Sequence, residues 1–245
     1  NSAPTFLNIG DMGGVTNVTL NIGGTGTVRY NGSSAGDLFS SSTVLNVLSG
    51  ATFDFNANPE TMGAISGAGT ILEAGAGLTV SLAGYYVFSG RLSGTGTSAN
   101  LTLSGASQTL VLSGSASDYA GATTITAGRL IVSASAPSGS AGALGSATTD
   151  VLVGNTSGSS AAALLMDTAG VSIGRTNSPN RSGSISSIGN GAGSASSTRR
   201  KSGSQTSWSC SKTTATCCPN SRCSGSQSMM LVVSRTRGSS AMATW

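Results

Sequence analysis

Short apolar runs separated by small residues recur along most of this chain. Between residues 101 and 132, apolar side chains alternate with small or polar ones at Leu101/Leu103, Leu110/Leu112, Thr123/Ile125 and Leu130/Val132. Alternation with a period of two is typical of a β-strand with one buried face. The intervening residues are mostly Ser, Gly, Ala and Asp, which favour turns. The pattern therefore predicts strands of about five residues, each followed by a turn.

This rhythm extends over residues 1–174 and predicts a solenoid. Strand starts recur about every 8–10 residues, so three strands per coil give roughly 22–28 residues per coil, within the range of solenoid repeats. That spacing predicts about six or seven coils of a right-handed parallel β-helix. An antiparallel sandwich is the alternative, because short strands at this spacing suit it too. In the solenoid we expect five side chains to point inward: Leu110, Leu112, Ile125, Leu130 and Val132.

Two segments resemble a known repeat family. The segment Ser113–Val132, SGSASDYAGATTITAGRLIV, is similar to the autotransporter-associated β-strand repeat of large bacterial secreted proteins, with its Leu-x-Leu-Ser-Gly, Tyr-x-Gly, Thr-Thr-Ile and Ala-Gly-x-Leu-x-Val elements. Leu45–Ile71 is similar to another unit of the same proteins, so the resemblance covers roughly residues 40–175. One departure is Ser-Ala-Ser-Asp before Tyr119, where the family more often has Asn and Thr. The resemblance implies a surface-exposed scaffold with no catalytic motif.

The composition agrees with a solenoid. Only 8% of the residues are charged and 4% are aromatic, while the chain contains 36 glycines. A compact globule needs large side chains at its centre, whereas each solenoid coil buries only a thin strip against its neighbours. We expect glycines, including those at 23–24 and at 75 and 77, to form coil corners rather than a phosphate-binding loop.

Two compositions are joined near residue 174. All eight acidic residues lie before it, opposed by three arginines, and the remaining nine basic residues follow it without any acid. Both tryptophans and all four cysteines, Cys210, Cys217, Cys218 and Cys223, also lie in the second part. We therefore predict a solenoid over residues 1–174 and an irregular or disordered tail over 175–245, whose composition is that of a frame-shifted or fused sequence. Four cysteines allow three disulfide pairings, and the sequence does not select one.

The sequence assigns no catalytic, cofactor-binding or metal-binding residue. The chain has no histidine, which excludes Ser-His-Asp catalysis and most zinc sites. Asp54 and Glu60 are the nearest carboxylate pair and suggest either a glycosidase pair or a Ca²⁺ site. The alternative, which we favour, is that Asp54 faces solvent between Phe53 and Phe55, and that residues 56–60 form a turn.

Two further groups suggest binding surfaces. Tyr85, Tyr86, Phe88 and Arg91 form a candidate sugar-stacking stripe, but alternation places Tyr86 and Phe88 on one face and Tyr85 on the other, which favours a core strand. The basic residues of the tail, Thr198–Lys201 with Arg222, Arg235 and Arg237, suggest contact with nucleic acid or acidic glycans. No periodic apolar face lies behind those charges, so we expect no specific nucleic-acid site.

These patterns favour a non-enzymatic, extracellular β-solenoid stalk or fibre segment of a bacterial surface or secreted protein, used in adhesion or matrix assembly. We expect the chain to need no cofactor. We also expect it to self-associate end to end and to contact surface glycans or matrix. No apolar run approaches the roughly 18–20 residues of a membrane span, so the chain is not expected to cross a membrane. We expect the signal and the translocator to lie outside this sequence. The alternatives are a β-helical polysaccharide lyase or hydrolase, and a glycan-binding module.

Overall fold

The computed structural model describes the backbone of most of the chain and the side chains of its first three quarters. The described backbone comprises residues 6–10, 12, 14–31, 38–73, 75–155, 160–167, 171–175, 177–179, 183–187, 195–201, 204–210, 230–235 and 239–244. Side chains are described within these ranges from residue 7 to residue 175. Over the described residues the secondary structure is entirely β, with no helix.

Three parallel sheets form the faces of the molecule. Face 1 contains β1 (Phe6–Ile9), β3 (Thr27–Tyr30), β5 (Thr52–Asp54), β8 (Thr70–Leu72) and β11 (Arg91–Ser93). Face 2 contains β2 (Thr19–Ile22), β4 (Val44–Val47), β7 (Ala64–Gly67), β10 (Gly84–Phe88), β13 (Gln108–Leu112), β15 (Gly128–Val132), β17 (Ala162–Met166) and β19 (Gly183–Ser187). Face 3 contains β6 (Glu60–Met62), β9 (Leu78–Val80), β12 (Leu101–Leu103), β14 (Thr123–Ile125), β16 (Val151–Val153) and β18 (Asn177–Pro179).

In the three central turns, from β5 to β13, the chain visits face 1, face 3 and face 2 in order. The described strands before β5 lie on faces 1 and 2 only, and those from β14 to β19 lie on faces 3 and 2 only. On every face each strand pairs in parallel with the strand one turn away. This arrangement confirms the predicted β-solenoid and excludes the antiparallel sandwich. The solenoid has about five turns counted along face 1 and up to eight counted along face 2, so the predicted six or seven lie between these counts. Turn length varies more than predicted: paired residues are 18 positions apart at Glu60 and Leu78, and 34 apart at Leu130 and Leu164.

One continuous hydrophobic core runs inside the three faces. The five side chains predicted to point inward, Leu110, Leu112, Ile125, Leu130 and Val132, are all at most 2% exposed. Residues of successive turns stack on one another, since Leu110 pairs with Leu130 and Leu112 with Val132. The core also contains packed aromatic rings: those of Phe53 and Phe55 meet edge to face with their centroids 5.0 Å apart.

Glycines at the corner between faces 2 and 1 allow the turns to approach each other closely. Gly69, Gly90 and Gly114 follow β7, β10 and β13 and stack at this corner. A Cβ atom at Gly90 would lie 1.9 Å from the carbonyl oxygen of Gly69, and one at Gly114 would lie 2.1 Å from that of Gly90. Any side chain here would collide with backbone, which is the physical reason for glycine in the Ser-Gly corners of the sequence.

A glutamine side chain connects turns that are not neighbours. Gln108, at the start of β13, is buried and donates its Nε2–H to the carbonyl oxygen of Gly63, 3.1 Å away and 45 residues earlier. Gly84 is the residue paired with Gln108 in the intervening turn. The glutamine side chain therefore reaches past the turn that contains Gly84.

The parallel pairing continues beyond residue 174, where the sequence pattern weakens. β18 adds to face 3 beside β16, and β19 adds to face 2 beside β17. The later strands pair differently: β20 (Ala195–Lys201) with β21 (Ser204–Cys210), and β22 (Met230–Arg235) with β23 (Ser239–Thr244), form two separate antiparallel ribbons. No described residue after Ser187 joins the three parallel sheets. The expectation of an irregular tail stays a prediction.

The corner glycines supply a test of the stacking. We expect Gly90→Ala to destabilise the protein by about 1–3 kcal/mol, because the added methyl group forces adjacent turns apart. Gly26→Ala is the matched control, since a Cβ atom there would meet nothing within 4 Å, and its effect should stay within about 0.5 kcal/mol. Chemical denaturation followed by circular dichroism measures both; equal stabilities of the two variants would contradict the stacking argument.

Candidate functional site

Asp54 is covered by an arginine from the preceding turn. It lies between the buried Phe53 and Phe55, but it is only 3% exposed and not solvent-facing as predicted. The Arg29 Nε–H donates to Asp54 Oδ2 at 2.7 Å, and Asp54 Oδ1 accepts the N–H of Asn56 at 2.7 Å. The sequence pattern was wrong about exposure because the covering residue is 25 positions away.

Glu60 uses its carboxylate to bind backbone inside the solenoid. Its two oxygens accept the N–H groups of Leu38 and Phe39, each at 2.7 Å, and the residue is 3% exposed. The predicted turn before it is present, with positive φ at Asn56 (53°) and Ala57 (61°). Asp54 and Glu60 therefore lie on different faces, and each is bonded to protein groups. The structure does not bring them together as an exposed carboxylate pair.

The aromatic strand β10 has the predicted alternation. Phe88 is 1% exposed and Tyr85 is 66% exposed, while Tyr86 packs partly against the core and donates its hydroxyl to the Ala83 carbonyl oxygen at 3.0 Å. Partial burial raises the pKa of Tyr86. Tyr85 is thus a single exposed aromatic ring, with Val87 as its exposed apolar neighbour on the same strand.

Arg91 forms an ion pair with Asp118 on the surface. The Arg91 Nε–H donates to Asp118 Oδ1 at 3.2 Å, and Nη2–H donates to Oδ2. Burial alone would raise the pKa of Asp118, but hydrogen bonds from Arg91 and Ser93 outweigh that effect and hold the pKa below its ordinary value. Both side chains are more than a third exposed, so the pair contributes about 0–1 kcal/mol.

A column of buried polar residues lies inside the solenoid, and the sequence pattern did not indicate it. Glu73, Gly94 and Tyr119 occupy the same position in three successive turns, as shown by the bonds from Glu73 N–H to Ser93 O and from Ala120 N–H to Gly94 O. Glu73 is 1% exposed, and neither of its carboxylate oxygens has a hydrogen-bond partner among the described residues. Burial raises its pKa well above the ordinary value, so the carboxyl favours its neutral form.

Two more buried titratable groups lie at this column: Tyr119 within it, and Arg175 beside it. The hydroxyls of Tyr119 and Thr123 lie 2.7 Å apart, and burial raises the pKa of Tyr119. Arg175 donates through Nη2 to the carbonyl oxygen of Gly145 at 2.9 Å, and burial lowers its pKa. A lone Glu, Tyr or Arg in a small-residue sequence has no local signature of burial, so only the stacking of turns reveals the column.

Face 3 presents two neighbouring outward columns of hydroxyl-bearing residues, which together we name the hydroxyl ladder. The first column consists of threonines. Each of these threonines is the middle residue of its strand, and the residues on both sides of it are buried. Consecutive threonines pair with each other across the sheet, in the order Thr61, Thr79, Thr102 and Thr124. The second column contains Ser81, Ser104 and Thr126, all half-buried. The signal in the sequence was a Thr-x-Ser/Thr triplet in three turns, at 79–81, 102–104 and 124–126.

The hydroxyls of the second column are oriented by the preceding turn. Ser81 Oγ donates to Met62 O at 3.4 Å, Ser104 Oγ to Val80 O at 3.3 Å, and Thr126 Oγ1 to Leu103 O at 3.1 Å. The three side chains therefore repeat the same orientation. Beside the ladder lies a surface groove of about 590 Å³, lined by Thr61, Thr79 and Asn100 among others. Glu60 is the single charged residue of its lining and is engaged by backbone.

The described part of the chain offers neither a metal cluster nor a membrane-spanning helix. It contains no group of three or more Cys, Asp or Glu residues placed to hold a metal ion. None of its segments forms a helix long and apolar enough to span a membrane. The four cysteines fall outside the residues whose side chains are described, so their pairing stays open, as does the role of the basic residues near them.

Comparison with known proteins gave no match: no protein-family model, curated protein or solved structure is significantly similar to the chain. The resemblance to the autotransporter repeat therefore stays a prediction based on the two segments that carry it.

The two buried glutamates should respond oppositely to loss of charge. Glu73 has a raised pKa in the folded protein. Its contribution to stability is therefore complete below its pKa in the unfolded chain, about 4.3, and is lost as the pH rises through its pKa in the folded protein. We expect Glu73→Gln to leave stability similar near pH 4, to raise it at pH 8, and to flatten the dependence between these values.

Glu60→Gln is the matched substitution. An amide has one oxygen acceptor, so one of the two backbone N–H groups loses its partner, and we expect a loss of about 1–3 kcal/mol at pH 8. Denaturant unfolding of both variants from pH 4 to pH 8 measures the effects. A lower stability of Glu73→Gln at pH 8 would show that the Glu73 carboxylate has a partner in solution.

Proposed function

We propose that this chain is a non-enzymatic stalk or fibre segment of an extracellular or bacterial cell-surface protein, used in adhesion or matrix assembly. The observation that carries the proposal is the continuous core of buried apolar side chains shared by the three parallel faces, around which successive turns are stacked. Each added turn extends such a stack without altering the turns before it. That property suits a spacer that holds binding regions away from a surface.

The disposition of the acidic residues favours this function over a polysaccharide lyase or hydrolase. A glycosidase needs two carboxyl groups facing one substrate bond. Here Asp54 is bonded to Arg29, Glu60 to backbone, and Asp118 to Arg91. Glu73 is buried. A glycan-binding module is a further alternative, for which the exposed ring of Tyr85 is the one aromatic candidate in the described part of face 2.

The end of the solenoid provides a route to assembly. β2 is the terminal strand of face 2, and the bonds from Val44 N–H to Val18 O and from Leu48 N–H to Ile22 O define which backbone groups face β4. By alternation, the N–H of Thr19 points away from β4. A row of such unpaired groups is a template for another strand, so we propose that copies associate end to end.

We expect the full chain to associate as its concentration rises, as measured by sedimentation velocity. Thr19→Pro removes an N–H from the open edge and should weaken association about two- to tenfold, the value of one net hydrogen bond. Thr19→Val keeps the N–H and the side-chain volume, so it should associate like the original chain. Sedimentation as a monomer at all concentrations would rule out this route to assembly.

We also expect no cleavage when the chain is incubated with acidic and neutral polysaccharides, because Asp54, Glu60 and Asp118 are each bonded to protein groups and Glu73 is buried. Product formation is measured as new reducing ends. Cleavage that disappears in Asp54→Asn, in protein whose circular dichroism is unchanged, would replace the stalk with the enzymatic alternative.

A further inference from the structure

The hydroxyl ladder has a regular spacing in two directions. Neighbouring strands in a sheet are about 4.8 Å apart, and residues i and i+2 on one strand are about 6.6 Å apart. Thr79 and Ser81 thus repeat at Thr102 and Ser104, and again at Thr124 and Thr126, in unbroken register. The result is a grid of two columns of hydroxyl groups: the threonines in the middle of β6, β9, β12 and β14, and the Ser or Thr residue that directly follows β9, β12 and β14.

The grid is also uncharged. Its outward residues are Thr and Ser, with Gly63 at the position that precedes Ser81 in the second column. Face 1 provides an internal comparison: Thr27, Thr52 and Thr70 also pair across three strands, but Arg29 and Asp54 form an ion pair beside them. A threonine, by contrast, offers one hydroxyl and one methyl group on an uncharged side chain whose χ1 rotation is restricted.

Such a grid suits a ligand that is itself a flat, neutral lattice of hydrogen-bonding groups. Ice is such a lattice, and its oxygen atoms recur at distances close to both repeats of the grid. The hydroxyls of the second column are already oriented by bonds to the preceding turn, so little rotamer entropy is lost when water orders against them. A crystalline polysaccharide is a less suitable ligand, because sugar rings are typically held by aromatic side chains and the described outward positions of the grid contain none.

We propose that face 3 binds ice through the hydroxyl ladder. The methyl groups of Thr79, Thr102 and Thr124 fit between lattice positions, and the hydroxyls of both columns occupy positions of lattice water. This activity is independent of the proposed stalk function, since it depends on one face and not on the length of the solenoid or on its ends.

The test uses the full chain and ice itself as the probe. Frozen solutions are annealed to follow recrystallisation, and single crystals are grown slowly in protein solution to measure the fraction of protein incorporated. We expect the original chain to inhibit recrystallisation and to enter the crystal. Thr102→Lys places a long charged side chain at the centre of the grid, between Thr79 and Thr124, and should abolish both effects.

Thr52→Lys is the matched control, since it makes the same change at a half-buried threonine in the ladder of face 1. It should keep the activity of the original chain. Thr79→Lys is a second substitution in the grid, used if Thr102→Lys fails to fold as judged by circular dichroism and thermal melting. Loss of activity in the folded grid variants alone supports the proposal.

Three results would overturn it: no effect of the original chain on ice, equal activity of the folded grid variants and the original chain, or loss of activity only in Thr52→Lys. Binding to microcrystalline cellulose or chitin without any effect on ice would assign the face to a polysaccharide instead.

Discussion

Backbone hydrogen bonds between consecutive turns, at an almost constant register on each face, are the constraint on which the rest of this structure depends. They fix the separation of the turns, so any residue at a corner must fit within that separation. The stacked glycines Gly69, Gly90 and Gly114 meet this requirement, because an added Cβ atom at Gly90 or Gly114 would overlap a backbone carbonyl oxygen of the preceding turn. Loops between strands are free of it, which is why the turns differ so much in length while the sheets remain regular.

The same constraint determines which polar groups inside the solenoid have hydrogen-bond partners. A backbone N–H that meets no strand in the next turn needs another acceptor, and the carboxylate of Glu60 serves Leu38 and Phe39 in this way. Glu73 is buried to a similar extent without such donors, so the cost of desolvation raises its pKa instead. Two glutamates in one core therefore have opposite energetic roles, set by whether the adjacent turn offers N–H groups.

Alternation was enough to predict the buried side chains between residues 101 and 132, because it is a property of a single strand. The environment of Asp54 was not predictable in this way, since Arg29 reaches it from another turn. The Thr-x-Ser/Thr triplets indicated the residues of the hydroxyl ladder but not their alignment: Thr79, Thr102 and Thr124 share a column because the paired positions are 23 and 22 residues apart. With turns of 18 to 34 residues elsewhere, column membership follows from pairing and not from sequence spacing.

The hydrogen bond from Gln108 to Gly63 changes how this solenoid is expected to unfold. In a linear array, each unit ordinarily interacts only with its nearest neighbours, so stability is a sum of local and adjacent-unit terms. A side chain that spans the intervening turn at Gly84 adds a next-nearest-neighbour term. Fraying that begins at one end must then release two turns together when it reaches this point. The central turns thus form a larger cooperative unit than the turns around them, and amide exchange there should report a single opening event.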